Sequence, residues 1–160
     1  MRFETLAVHA AAEKDPATGA VAPPIHLSTT FEHGPAGEIP RGFMYIREGN
    51  PTGEQLEEAL AALDGGQAAL ALASGLAATS ATLQALPPGA HVLYPDDVYY
   101  GMRVMAKEYL PRWGMDSTAV DMADPENVRR ALRPNTKLIW AESPSNPLMK
   151  VADLAALGEI

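Results

Sequence analysis

From Ala68 to Ile160 the chain alternates short apolar runs with helical patterns joined by links of a few residues, and that alternation restricts the fold more than any other feature. "AALALAS" (68–74) reads as a short buried strand and "GLAATSATLQAL" (75–86) as a helix stopped at Pro87-Pro88-Gly89. Three more strands are predicted at 91–95, 116–121 and 137–142, with helices at 101–113, 124–132 and from 151 onward. Strand–helix alternation with short links predicts an α/β fold with a parallel, doubly wound sheet. In such sheets ligands collect beyond the carboxyl ends of the strands.

Upstream, "NPTGEQLEEALAALDGG" predicts a helix with Asn50 as N-cap and Pro51 at its first position. Leu56, Ala59, Leu60 and Leu63 follow helical spacing, and Gly65-Gly66 stops the run. Residues 1–49 read as an extended, irregular arm. Within it "VAPPIHLSTTFEHGPAGEIPRG" carries four prolines and three glycines and no periodicity. An arm this long without a core pattern is expected to be ordered by something else, such as another subunit, or to be disordered.

Composition narrows the function. A formal net charge of -8 argues against nucleic acid or an acidic membrane as partner. The chain has no cysteine, hence no disulfide, thiolate nucleophile or Cys-type zinc site. His9, His26, His33 and His91 lack metal-ligand spacing, so no metal site is expected. There is no signal-peptide pattern and no apolar run near the roughly 18 residues of a membrane span. A cytoplasmic protein is the expectation.

Several residues are candidates for binding chemistry. At "ASGLAAT" a predicted strand runs through Ser74-Gly75 into a helix. The first amides of a helix are unpaired and carry partial positive charge, so a phosphate would fit there. The alternative is a tight turn with Ser74 as cap. No nucleotide-binding glycine motif is present. Tyr99 and Tyr100 follow a strand end, where an aromatic can stack on a flat ring or simply pack. Tyr45 and Arg47 lie on the arm, and Arg suits phosphate, though most lone arginines are solvated. Asp96-Asp97 and Glu57-Glu58 read as solvated charge.

Taken in order, "TLAVHA…DPATGAVAPPIHLSTTF", "YIREGNPT", "ASGLAA", "YYG" and "ESPSNPL…VADL" resemble the Cys/Met-metabolism family of pyridoxal-phosphate enzymes, the cystathionine γ-synthase and γ-lyase group. The resemblance spans nearly the whole chain. It implies the fold type I large domain of PLP-dependent transferases, with pyridoxal 5'-phosphate as cofactor and a small amino acid as substrate. It also implies a homo-oligomer, a dimer of dimers for the parent enzyme. The amides of Gly75 and Leu76 would cradle the cofactor phosphate, Tyr100 would stack on its ring, and Asn146 would bond its phenolic oxygen. Tyr45 and Arg47 would reach a neighbouring subunit's phosphate. Glu142 is expected to end its strand and fix the following loop by accepting backbone N–H groups.

There are departures from the family pattern. Relatives read Y-G-G-T where this chain has Tyr100-Gly101-Met102-Arg103, which leaves Tyr99 or Tyr100 as the stacking residue. None of Lys14, Lys107, Lys137 and Lys150 sits in the family's Ser/Thr-x-x-Lys context for the Schiff-base lysine. The expectation is therefore residues 1–49 as an inter-subunit arm and 50–160 as the first part of the cofactor-binding domain. Such a chain would be inactive alone. Synthase, γ-lyase, β-lyase and sulfhydrylase share these motifs, and a non-catalytic module lending its arm to an intact subunit is the alternative. The family's sheet order, 3-2-4-5-6-7-1, implies that strands 91–95, 116–121 and 137–142 pair while 68–74 finds no partner. The isolated chain is then expected to be partly folded.

Overall fold

The computed structural model describes residues 1–160, which form two compact units, Met1–Ala71 and Leu72–Ile160.

The first unit holds helices α1 (Phe3–His9) and α2 (Pro51–Asp64). α1 corrects the expectation of an irregular start. "FETLAVH" has no proline or glycine, and α1 packs on α2, so propensity and a neighbour suffice although the helix buries no residue. Just past its end, the Gln55 side chain donates to the Ala11 carbonyl at 2.5 Å. α2 is capped as predicted: the Asn50 side chain accepts from the Thr52 amide at 2.8 Å, and Gly65 closes the helix at φ +66°, a conformation that favours glycine. Its apolar stripe stays uncovered within the unit, with Leu56 52% and Leu60 40% exposed. Glu57 is half-buried rather than solvated and accepts the Ala71 amide at 2.8 Å.

The second unit runs α3 (Gly75–Gln84), β1 (His91–Pro95), α4 (Tyr100–Val104), β2 (Asp116–Val120), α5 (Pro125–Ala131), β3 (Thr136–Ile139) and α6 (Leu154–Gly158). The strands form a parallel sheet in the order β2-β1-β3. Side chains alternate across a strand, and β1, central and buried along its length, splits the core accordingly. Val92 and Tyr94 join Leu83, Met102, Met105, Ala106 and Leu110 on the face covered by α3 and α4. Leu93 joins Val120, Met122, Val128 and Leu157 on the face covered by α5 and α6. Helices on both faces make this the doubly wound α/β layering that the alternation predicted.

Residues 68–74 form no strand, which corrects their reading as one, whereas the pairing of the other three and the lack of a partner for 68–74 are as the family's sheet order implied. No strand of the chain lies beside the segment, its alanines have low β-propensity, and Leu70 is 72% exposed. β3 also ends at Ile139 and not at residue 142, although the Trp140 amide still donates to the Leu93 carbonyl at 2.8 Å.

The predicted helix 101–113 is three pieces: α4, a π turn at Met105–Tyr109 and a 3₁₀ turn at Pro111–Trp113. In the π turn the Leu110 amide bonds the Met105 carbonyl at 3.0 Å, so the Ala106 carbonyl loses its α-helical donor. Pro111 has no N–H to replace it. The Ser117 hydroxyl of β2 donates to that carbonyl instead, at 3.1 Å.

His91 lies fully buried at the amino edge of the sheet. Its Nδ1 meets Thr136 Oγ1 at 2.8 Å and its Nε2 meets Thr118 Oγ1 at 2.9 Å, one partner on each flanking strand. Burial, and then the Arg133 guanidinium, lower its pKa from the ordinary 6.5, while Asp116 acts in the opposite direction. A lowered histidine pKa means the unfolded chain binds the extra proton first. This contribution to stability is therefore complete above about pH 6.5 and is lost as pH falls through the folded-state value. Denaturant midpoints should drop between pH 7.5 and 5.5, and His91→Gln should flatten that slope. An unchanged slope would refute the assignment.

Candidate functional site

At the start of α3 the Ser74 side chain accepts the Ala77 amide at 3.1 Å and its carbonyl accepts the Ala78 amide at 3.1 Å. The amides of Gly75 and Leu76 have no acceptor in the protein. A Cβ at Gly75 would meet nothing within 4 Å, so the backbone is open to close approach. Ser74 thus caps the helix, as one reading of this stretch expected, and two amides without acceptors remain at the positive helix end. That donor set fits an anion with several oxygens, such as a phosphate.

The start of α4 lies against it. A Cβ at Gly101 would run into the Tyr99 ring and come within 3.0 Å of Leu76 Cδ1. Tyr99 is 47% exposed and Tyr100 73%. The Arg103 Nη2 donates to the Val98 carbonyl at 3.3 Å and so braces the segment leading to both tyrosines.

Glu142 lies past the end of β3, and it is not its own loop that it fixes. Its Oε2 accepts the Tyr99 amide at 3.3 Å. The loop 143–150, with cis peptide bonds at Ser143-Pro144 and Asn146-Pro147, is held by Asp97. Asp97 Oδ2 accepts the Ser145 hydroxyl at 2.6 Å and the Leu148 amide at 2.8 Å. Asp97 is buried, which corrects its reading as solvated charge.

Asp96 is corrected too, because it is paired. Lys150 Nζ lies 3.1 Å from Asp96 Oδ1 and 3.0 Å from Asp121 Oδ2, tying the segments after β1, β2 and β3. The bonds to Asp121 and then Asp96 raise the Lys150 pKa. Asp121 is lowered in turn by the Ala123 amide and then by Lys150. An ammonium held this way is a poor nucleophile, since the neutral amine must attack.

Tyr45 and Arg47 belong to the first unit and meet each other there. The Arg47 guanidinium lies 4.8 Å from the Tyr45 ring centroid. Tyr45 is placed by an antiparallel bridge to Thr30, flanked by bonds from Phe31 N to the Met44 carbonyl at 3.1 Å and from Ile46 N to the Thr29 carbonyl at 2.9 Å.

Residues 4–160 match the family described as "Cys/Met metabolism PLP-dependent enzyme". The chain belongs to this family. The family description makes pyridoxal phosphate the implied cofactor. Cystathionine gamma-synthase of Mycobacterium tuberculosis is 46% identical over 157 residues, 98% of this chain and 40% of that protein. Cystathionine gamma-lyase of Bacillus subtilis is 42% identical over 161 residues, 100% of this chain and 42% of its own length. The crystal structure of metB from Corynebacterium glutamicum superposes with a TM-score of 0.91 at 38% identity, over 99% of this chain and 42% of that one. The chain thus spans about 40% of the length of these members of the Cys/Met metabolism family.

For a member of the Cys/Met metabolism family, the bracing role of Asp97 is what sequence reasoning missed, while Glu142 was singled out as an acceptor of backbone amides but for the wrong loop. Asp97 read as solvated charge. The available signal was position: Asp97 comes two residues after the central strand, at the carboxyl edge where loops from neighbouring strands converge. No helix of the chain is long and apolar enough to cross a membrane.

Proposed function

We propose that this chain forms the cofactor-phosphate part of a trans-sulfuration enzyme. The parent would catalyse γ-replacement or γ-elimination on homoserine esters or cystathionine, with cystathionine γ-synthase as the first choice. The observation that carries the reading is the pair of unpaired amides at Gly75 and Leu76, with the Leu76 side chain and the Tyr99 ring both close to Gly101 of α4. When bound, pyridoxal phosphate supplies an electron sink for carbon-acid chemistry. The chain's own residues bind and orient. Gly75 and Leu76 donate to the phosphate, Asn146 donates to the phenolic oxygen, and a tyrosine covers the ring. Tyr100 is the stacking residue implied by the resemblance. Tyr99 has the stronger geometric support, because its ring lies beside Leu76 and its amide is held by Glu142.

Tyr45 and Arg47, already stacked together, serve the phosphate of a second copy, with residues 1–49 as the inter-subunit arm and 50–160 as the first part of the cofactor domain. A homotetramer in the cytoplasm acting on a small amino acid completes the proposal. The Schiff-base lysine is none of the four in this chain, and the charge-paired Lys150 supports that for its own position. The same observation favours a second reading, a non-catalytic module that lends its arm to an intact subunit.

The test is to express the gene as it stands in its genome, with whatever coding sequence adjoins it, and add pyridoxal phosphate. The expected result is a visible absorbance band that borohydride removes, together with thioether formation from a homoserine ester and cysteine. Cofactor binding without the borohydride-sensitive band supports the module. No binding at all refutes both.

A further inference from the structure

We propose that Asp97 is a positioning residue for Asn146, setting the angle at which that side chain meets a ligand oxygen. This deepens the reading just given and rests on it. Asn146 is exposed, and its side chain makes no hydrogen bond within the chain, so its direction is inherited from the backbone on either side. That backbone is fixed at two points, Ser145 immediately before it and Leu148 two residues after it. Both are held by one oxygen, Asp97 Oδ2, at 2.6 and 2.8 Å.

The loop is otherwise closed on itself. The Ser145 amide donates to the Lys150 carbonyl at 2.8 Å, and the Lys150 amide donates to the Ser145 hydroxyl at 2.9 Å. Between residues 144 and 149, Asp97 is the only partner from elsewhere in the chain. Asp97 is 5% exposed, and a buried carboxylate is tolerated only where donors compensate it, here a hydroxyl and an amide.

The brace is reciprocal. Asp97 reaches from the loop after β1 to the loop after β3, and Glu142 reaches back from beyond β3 to the Tyr99 amide. Each loop holds the other's backbone through a carboxylate, so the tyrosines and Asn146 are set as one piece.

A two-ligand comparison separates positioning from general support. Pyridoxal 5'-phosphate carries the phenolic oxygen; its 3-deoxy analogue does not. On the full chain, Asp97→Ala is expected to weaken pyridoxal phosphate about tenfold and the 3-deoxy analogue less than about twofold, the size of one lost hydrogen bond. Asp97→Asn keeps an acceptor oxygen and should restore most of the difference. If Asp97→Ala does not fold, Ser145→Ala removes one of the two anchors and should show the same selectivity at smaller size. Equal losses for both ligands, or no loss for either, overturn the inference and leave the cofactor reading standing. Failure of the unaltered chain to bind either ligand overturns both.

Discussion

Leu110→Ala should destabilise the second unit by about 2–5 kcal/mol. Leu110 is fully buried in the core cluster with Leu83, Val92, Tyr94 and Met102. It also sits where the π turn passes into the 3₁₀ turn, and its carbonyl accepts the Trp113 amide at 3.0 Å and the Met115 amide at 2.9 Å. Those bonds pin the backbone around it, so the core cannot easily collapse into the space left by the missing carbons. The cost then includes a cavity as well as lost transfer energy. Whole domains are stable by only about 5–15 kcal/mol, so this one change should remove a large share. Denaturant titration of the full chain measures it. Leu154→Ala, at a side chain 56% exposed, is the control and should change stability by less than about 0.5 kcal/mol. A loss below about 1 kcal/mol at Leu110 would refute this packing account.

Gly101→Ala should separate folding from ligand binding. In a helix, alanine is favoured over glycine by about 0.5–1 kcal/mol, so propensity alone predicts a small gain. The methyl group, however, would enter the space of the Tyr99 ring and crowd Leu76. The ring, a rotatable side chain with nearly half its surface in solvent, is the part that must give way. Overall stability should therefore change by under about 1 kcal/mol while the tyrosine ring leaves its place beside Gly101. Pyridoxal phosphate affinity should fall on the order of tenfold, the size of a lost aromatic contact. Equilibrium titration with the cofactor, alongside a denaturation curve, reads both quantities. Unchanged affinity would show that the Tyr99 ring does not cover the cofactor, and would return that role to Tyr100.

Local signals were legible where the physics is local. Asn50, Ser74 and Asp124 cap their helices because a short polar side chain reaches a free amide two or three residues on, a relation the residue order specifies. β1 was legible at both ends, since "HVLYP" is a short apolar run bounded by turn residues. The alternating pattern also carried the layering, because parallel strands joined by helices can bury both faces of a sheet in few ways.

Non-local pairing decided the rest. The run at 68–74 looks as apolar as β1, yet a strand exists only where another backbone completes its hydrogen bonds, and none lies beside it. Glu142 and Asp97 each carry an acidic label in the sequence that says nothing of which loop will come within 3.3 Å or 2.6 Å of them. The break at residues 105–113 depended on a serine of β2 arriving to satisfy one orphaned carbonyl. By itself the sequence determined the caps at Asn50, Ser74 and Asp124 and the parallel α/β class, because each is set by residues close in the chain or by their alternation along it. Only the tertiary structure decided which carboxylate braces which loop, since those partners are separated by 43 to 51 positions and meet through the sheet that lies between them.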